Sequence, residues 1–318
     1  MSTLPTPSAR ARAVRFDRYG GREVLSVRDV SMPRPGPGEV LVEVRAAGIN
    51  PGEVLIRSGA LHEHLPATFP SGEGTDLAGI VLETGTDVKD FGVGDAVLGY
   101  SWTRSSHATH TVVPATQLVS KPQVLPWEVA GALDVAGTTA YAAVRAAAPV
   151  AGDVVAVSAA TGGVGTLVVQ LLVRRGATVL GIASASSAKW LTDHGATAVA
   201  YGDGIDDRLR SAAPNGIDAF IDLFGPEYVR MAVDLDVEIH RIKTIVFSPT
   251  VTELGVQVAG AATLSDAEAP AVLSELADLL ASRVIELPIA ATYPLDRVAD
   301  AFEQLEQRHT LGKIVLVP

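Results

Sequence analysis

The chain has 318 residues, of which 47% are hydrophobic, 5% aromatic and 19% charged, and its mean hydropathy is +0.28. That length suggests about two domains, the apolar content is ample for a large core and excludes a disordered chain, and no uncharged apolar run reaches the roughly 18 residues of a membrane span. Lysine and arginine total 25 against 36 aspartates and glutamates, a net charge of −11 that argues against nucleic acid as a partner, and the absence of cysteine removes disulfides, thiol nucleophiles, iron–sulfur clusters and thiolate zinc sites together.

Residues 1–12 are rich in Ser, Thr and Pro and lack the apolar core of a secretory signal, so they read as a frayed tail on a soluble cytoplasmic protein. Their two arginines and lack of acid are also features of an organelle transit peptide, the alternative at this point. Val40–Ala46 alternates apolar and polar residues, as a half-buried strand does. Short apolar runs follow at Gly79–Leu82, Ala96–Tyr100 and Thr111–Pro114, separated by Gly, Pro and Asp. This part predicts a small barrel or sandwich. After Pro126 the texture changes. Apolar runs at Val154–Ala159, Thr178–Ile182, Ala198–Tyr201, Ala219–Leu223 and Ile242–Phe247 alternate with helix-like segments such as Val164–Arg175 and Ser187–His194. Continuous apolar strands alternating with helices predict an α/β unit, a parallel sheet covered on both faces. Helices over Ala269–Ala281 and Leu295–Gln307 and a closing strand, Lys313–Val317, complete the chain.

The most informative segment is Val154–Gly165: a strand, a glycine-rich turn and a helix start. On the G-x-G-x-x-G pattern its key places are Ala160, Gly162 and Gly165, with Thr161, Gly163 and Val164 between them. Gly162 lets the backbone approach a diphosphate, Gly165 lets the helix pack close on the strand, and the helix N-terminus offers N–H groups and positive dipole to the phosphates. A tight turn with no ligand is the bland alternative. About 20 residues on, where an NAD site carries an acid for the ribose 2′-hydroxyl, the chain has Ser184, Ser186, Ser187 and Lys189, and no carboxylate before Asp193. Hydroxyls and an ammonium suit a 2′-phosphate, so the cofactor expected is NADPH. A serine cap before a solvent-facing lysine is the alternative.

Several further stretches carry a resemblance: Arg15–Gly21, Pro35–Val42, Ala46–Pro51, Gly74–Gly79, Val93–Asp95, Ala136–Tyr141, Ala160–Gly165 and Gly312–Val315. On these the chain resembles the zinc-independent medium-chain dehydrogenase/reductase family, in its quinone oxidoreductase (zeta-crystallin-like) branch. The resemblance implies a GroES-like β-rich catalytic domain over 13–127 and 264–318, and a doubly wound Rossmann NADP-binding domain over 128–263. It also implies NADPH in the cleft between them and a homodimer, for which Gln257–Gly260 is a candidate edge strand. By position, Lys189 and Tyr201 match residues that hold the 2′-phosphate, and Asn50 and Thr138 match positions lining the nicotinamide and substrate pocket. Where zinc-dependent relatives carry a cysteine this chain has Gly48 or Ile49, and where they carry His-Glu it has Thr75-Asp76, so no metal is expected.

Other side chains have weaker patterns. His62/His64 and His107/His110 have metal-like spacing but read as exposed loop histidines. Ser158 lacks the G-x-S-x-G elbow of a hydrolase. Asp76 reads as a structural residue beside the cleft. Phe224 and Phe247 are read as cofactor-binding, lining a pocket with Trp102, with core positions as the alternative. The function expected is hydride transfer from NADPH to a small-molecule quinone or α,β-unsaturated carbonyl, polarised by neutral donors such as Asn50, Thr138 or a backbone N–H. Alternatives are an enone or enal double-bond reductase with no quinone role, and a non-catalytic NADPH-binding structural or regulatory protein.

Overall fold

Period-two alternation dictates a strand with one face inward, and Val40–Ala46 forms the middle of a ten-residue strand. The computed structural model describes residues 10–307 and 310–318. Its first part contains strands β1 (Arg10–Phe16), β2 (Ser26–Ser31), β3 (Glu39–Gly48), β4 (Ser71–Gly72), β5 (Asp76–Thr84), β6 (Ala96–Tyr100), β7 (His110–Pro114) and β8 (Leu118–Ser120). Among the described residues one α-helix, α1 (Pro51–Ser58), interrupts them. Pro51 opens α1, the Glu53 carboxylate accepts from the Asn50 N–H, and Gly59 closes it in the left-handed region at φ 84°. β1 corrects the expected tail at its end, since Arg10–Arg12 pair with Ser31, Val30 and Asp29. Residues 1–9 and His309 lie outside the described residues.

The chain then crosses α2 (Trp127–Ala130) and α3 (Asp134–Ala147) into an alternating α/β unit. Its strands are β9 (Val154–Val157), β10 (Thr178–Ala183), β11 (Thr197–Ala200), β12 (Ala219–Asp222), β13 (Ile242–Thr244) and β14 (Gln257–Val258). Its helices are α4 (Gly163–Arg174), α5 (Ala188–Asp193), α6 (Ile205–Ala212), α7 (Pro226–Asp234) and α8 (Pro249–Glu253). All strand pairs are parallel, in the order β11-β10-β9-β12-β13-β14. This is the doubly wound order, whose crevice lies beyond the carboxyl ends of β9 and β12. Finally α9 (Glu268–Ala281), β15 (Ile289–Pro294), α10 (Val298–Glu306) and β16 (Lys313–Val317) return to the first part.

That return makes one sheet of distant pieces, in the order β15-β16-β3-β5-β6-β8 with β7 also on β3, beside a smaller β2-β1-β4 sheet. The architecture is a GroES-like β domain joined to a Rossmann domain. One apolar cluster spans the junction: Ala46, Ala78 and Leu98 from the β-rich part meet Ala136 and Ala140 of α3, Leu167 of α4 and Leu276 of α9. α3 is the hub. A Cβ added to its Gly137 would lie 2.9 Å from Leu276 Cδ1, so glycine is what lets α9 approach.

Candidate active site

The turn between β9 and α4 has the shape a dinucleotide needs. Ala159 takes positive φ, 45°, and Ala160 is fully buried. A Cβ on Gly165 would sit 2.2 Å from Ala159 O, so only glycine lets α4 start so close to β9. A Cβ on Gly162 would meet only Ala159 O, at 3.4 Å, and otherwise enter open space. α4 has no side-chain cap at Gly162, which leaves its first-turn N–H groups, at Gly163, Val164 and Gly165, facing that space without intrahelical partners. The open space and the uncapped helix end together fit a diphosphate.

This turn touches the end of the chain. Gly312 N donates to Thr161 O at 2.9 Å, Gly162 and Gly312 form an isolated parallel bridge, and a Cβ on Gly163 would lie 2.6 Å from Lys313 Cδ. Lys313 passes beneath the turn and its ammonium ends among buried acceptors: Ile49 O at 3.0 Å, Asn50 Oδ1 at 2.5 Å and Asp76 Oδ2 at 3.3 Å. Asp76 Oδ1 accepts from Val135 N, in the first turn of α3, at 2.9 Å. Segments more than 230 residues apart in sequence therefore meet at one polar centre.

The hydrogens in this centre are assigned. Asn50 Nδ2 donates to Asp76 Oδ2 at 3.1 Å and Thr75 Oγ1 at 3.3 Å, while Asn50 Oδ1 accepts from Lys313. Thr75 Oγ1 donates to Glu53 Oε1 at 3.0 Å. Thr138 Oγ1 donates to its own helix, to Asp134 O at 2.6 Å. Of the neutral donors expected from the sequence, Asn50 sits at the centre and Thr138 one turn into α3, each with its hydrogens engaged by the protein. Two acidic groups beside them differ. Neither the Asp134 carboxyl nor the Tyr100 hydroxyl has a hydrogen-bond partner among the described residues. Burial and the neighbouring Asp76 carboxylate push Asp134 well above the usual carboxylate range. Burial first, then Asp76, Glu53 and Asp134, push Tyr100 up as well.

At the far side of the turn, β10 and β11 stop side by side, with Ala183 opposite Ala200, so Ser184 and Tyr201 leave the same sheet edge. Ser184 Oγ lies 2.8 Å from Ser186 Oγ and 3.1 Å from Ser187 Oγ. Lys189 stands in the first turn of α5 on the same corner, but its ammonium is held by Asp193 at 2.7 Å, one helical turn on. Phe224 and Phe247 follow the carboxyl ends of β12 and β13, and Phe247 is 79% exposed.

Ser158 is no nucleophile. Its hydroxyl donates to Asp222 Oδ1 at 2.7 Å, and Asp222 also holds Thr244 Oγ1, Phe224 N and Gly225 N. This buried carboxylate stitches the ends of β9, β12 and β13 together behind the crevice. The histidines separate. His62 caps Gly59 O at 2.9 Å, and His110 is half-buried beside Thr109. His107, expected in an exposed loop, is buried: its Nε2 lies 3.2 Å from Gly48 O, and burial holds its pKa down. Among the described residues no three His, Cys, Asp or Glu side chains are grouped to hold a metal ion.

Known proteins agree with this geometry. The model of the alcohol dehydrogenase GroES-like domain matches residues 36–148, and that of the zinc-binding dehydrogenase domain matches 189–316. The chain belongs to the medium-chain dehydrogenase/reductase family, in its quinone oxidoreductase branch. It is 28% identical to a quinone oxidoreductase of Sus scrofa over 96% of this chain and 97% of the relative. It is 30% identical to the synaptic vesicle membrane protein VAT-1 homolog of Homo sapiens, over 94% and 84% of the two chains. Among solved structures, the Escherichia coli quinone oxidoreductase complexed with NADPH superposes with a TM-score of 0.86 at 26% identity, covering 96% of this chain and 100% of that one.

In this oxidoreductase the sequence reading missed two side chains of the centre. Lys313 was legible as the start of a strand and as part of the Gly312–Val315 stretch, and Asp134 only as a residue before the Ala136–Tyr141 stretch. The signal for both was proximity in space, which no local pattern carries.

Proposed function

We propose that this oxidoreductase uses NADPH to reduce a small quinone or α,β-unsaturated carbonyl, with no zinc ion in the redox step. The observation that carries the reading is the junction of two structures in one crevice. The uncapped turn at Gly162–Gly165 is bonded through Gly312 and Lys313 to the polar centre of Asn50, Asp76 and the α3 N-terminus. The N–H groups of Gly163, Val164 and Gly165 would hold the diphosphate. Ser184, Lys189 and Tyr201 would take the 2′-phosphate, and Phe224 and Phe247 would flank the dinucleotide. The nicotinamide, when bound, supplies a hydride. The protein's part is to seat the acceptor beside the α3 N-terminus, exclude water with the apolar junction, and hold the polar centre rigid. Lys313 supports the metal-free reading, because its ammonium is the cation that partners Asp76. The outer edge of β14, unpaired among the described residues, supports a homodimer.

The test is NADPH oxidation followed against quinones, enones and alkenals, with product analysis. Hydroquinone as product supports quinone reduction. A saturated carbonyl alone assigns the chain to double-bond reduction, and binding without consumption over the whole panel refutes the catalytic reading.

A further inference from the structure

An electrophilic carbonyl that accepts a hydride needs charge stabilisation at its oxygen, and the side chains expected to give it are occupied. Both Asn50 amide hydrogens lie on Asp76 and Thr75, the Thr138 hydrogen lies on Asp134 O, and the Lys313 ammonium is shared among Ile49, Asn50 and Asp76. Two groups at the same centre are unengaged, and their placement follows from the fold. In the antiparallel β5–β6 pair, Asp76 stands directly opposite Tyr100, so the two side chains share a face of the sheet. That face receives α3, since Val135 N bonds Asp76 Oδ1 at 2.9 Å. Asp134, the first residue of α3, therefore adjoins both Asp76 and Tyr100, and it is half-buried there.

We propose that Asp134 is the acid of this site: its carboxyl hydrogen-bonds the carbonyl oxygen of the acceptor and delivers a proton there as the hydride arrives. The inference rests on the reductase reading above. The step balances. A hydrogen and its electron pair leave the reduced nicotinamide and form a C–H bond at the electrophilic carbon. The acceptor's π pair moves onto oxygen, and that oxygen takes the proton from the Asp134 Oδ–H bond. The product is an enol, which tautomerises in water to the hydroquinone or the saturated carbonyl. Asp134 is left as a carboxylate and regains its proton from solvent.

The surroundings favour the protonated acid at rest. Asp76 faces Asp134 from β5 as an anion already paired with Lys313 from β16, and Glu53 faces the centre from α1, so a second charge beside Asp76 is opposed. Tyr100 from β6 is neutral. Arg104, in the segment after β6, acts on the Tyr100 hydroxyl, which it pulls down against the stronger effect of burial. The N-terminus of α3 favours a carboxylate at Asp134, and the burial of Asp134 and the charge on Asp76 outweigh it.

The experiment compares the full chain with Asp134→Asn. Infrared difference spectra of the cofactor-free protein at neutral pH should show a protonated-carboxyl band that Asp134→Asn removes. Glu73→Gln is the control for a second buried acid, which burial pushes up to about 8 beside Arg57. In turnover with the best acceptor, Asp134→Asn should lower kcat about 10²-fold and shift the Kd for NADPH less than about threefold. The wild-type rate should fall as pH rises through the Asp134 pKa, and the variant should lack that fall. Retention of kcat within about twofold, or a wild-type spectrum without the band, overturns the assignment. If the wild type consumes NADPH with none of the acceptors offered, the reductase reading fails on its own, while the spectrum still decides whether Asp134 carries the proton. NADPH binding by the variant shows that it has folded.

Discussion

Lys189 shows how a residue's neighbours set its use. Its spacing from the dinucleotide turn marks it for a 2′-phosphate, yet the ammonium is paired with Asp193, four residues on along an exposed helix face. Such a pair is worth only about 0.5–1 kcal/mol, so a phosphate dianion can take the lysine from it. We predict that Asp193→Asn tightens NADPH binding by about two- to fivefold and leaves NADH unchanged. An equal gain for both coenzymes would remove Lys189 from the 2′-phosphate. Asp193 was visible in the sequence as the nearest carboxylate. Its bond to Lys189 could be read only once α5 had been placed, because i and i+4 face each other on a helix alone.

The β9–turn–α4 unit was the most legible element, because its demands are local: an apolar strand, glycines at fixed offsets and an amphipathic helix. α3 was the least legible. Nine of its 14 residues are buried, among them Ala136, Gly137, Ala140, Ala142 and Ala143, so it is enclosed on nearly every side and shows no apolar stripe to count. The two glycines of the turn have different duties, and one pair of substitutions separates them. Gly165→Ala places a Cβ 2.2 Å from a carbonyl oxygen, and should lower the urea midpoint by the equivalent of about 1–3 kcal/mol. Gly162→Ala finds φ −74°, ψ 177° and open space. It should leave the midpoint unchanged and weaken NADPH binding at least about tenfold, because the methyl fills the path of the diphosphate. Equal binding by wild type and Gly162→Ala would place the dinucleotide elsewhere.

At the scale of the molecule, the architecture followed from the change of texture after Pro126 and the strands on either side of it. The polar centre did not, because its members come from β5, β16, the α1 cap and the start of α3, and nothing local records their meeting. Lys313 joins these parts. It is buried, and its three acceptors, Ile49, Asn50 and Asp76, belong to the first 80 residues of the chain. Lys313→Met leaves a buried carboxylate without its cation, which costs about 3–5 kcal/mol. Denaturant unfolding should register that loss, and a change below about 1 kcal/mol would show the ammonium to be dispensable.

The account stands on a nicotinamide dinucleotide held at the turn over Lys313. Calorimetric titration of the wild-type chain with NADPH and with NADH tests it most directly. One NADPH per chain, bound at least about tenfold more tightly than NADH, is the predicted result. Retention of neither coenzyme would contradict the site, and equal affinities would contradict the assignment of Ser184, Lys189 and Tyr201 to the 2′-phosphate.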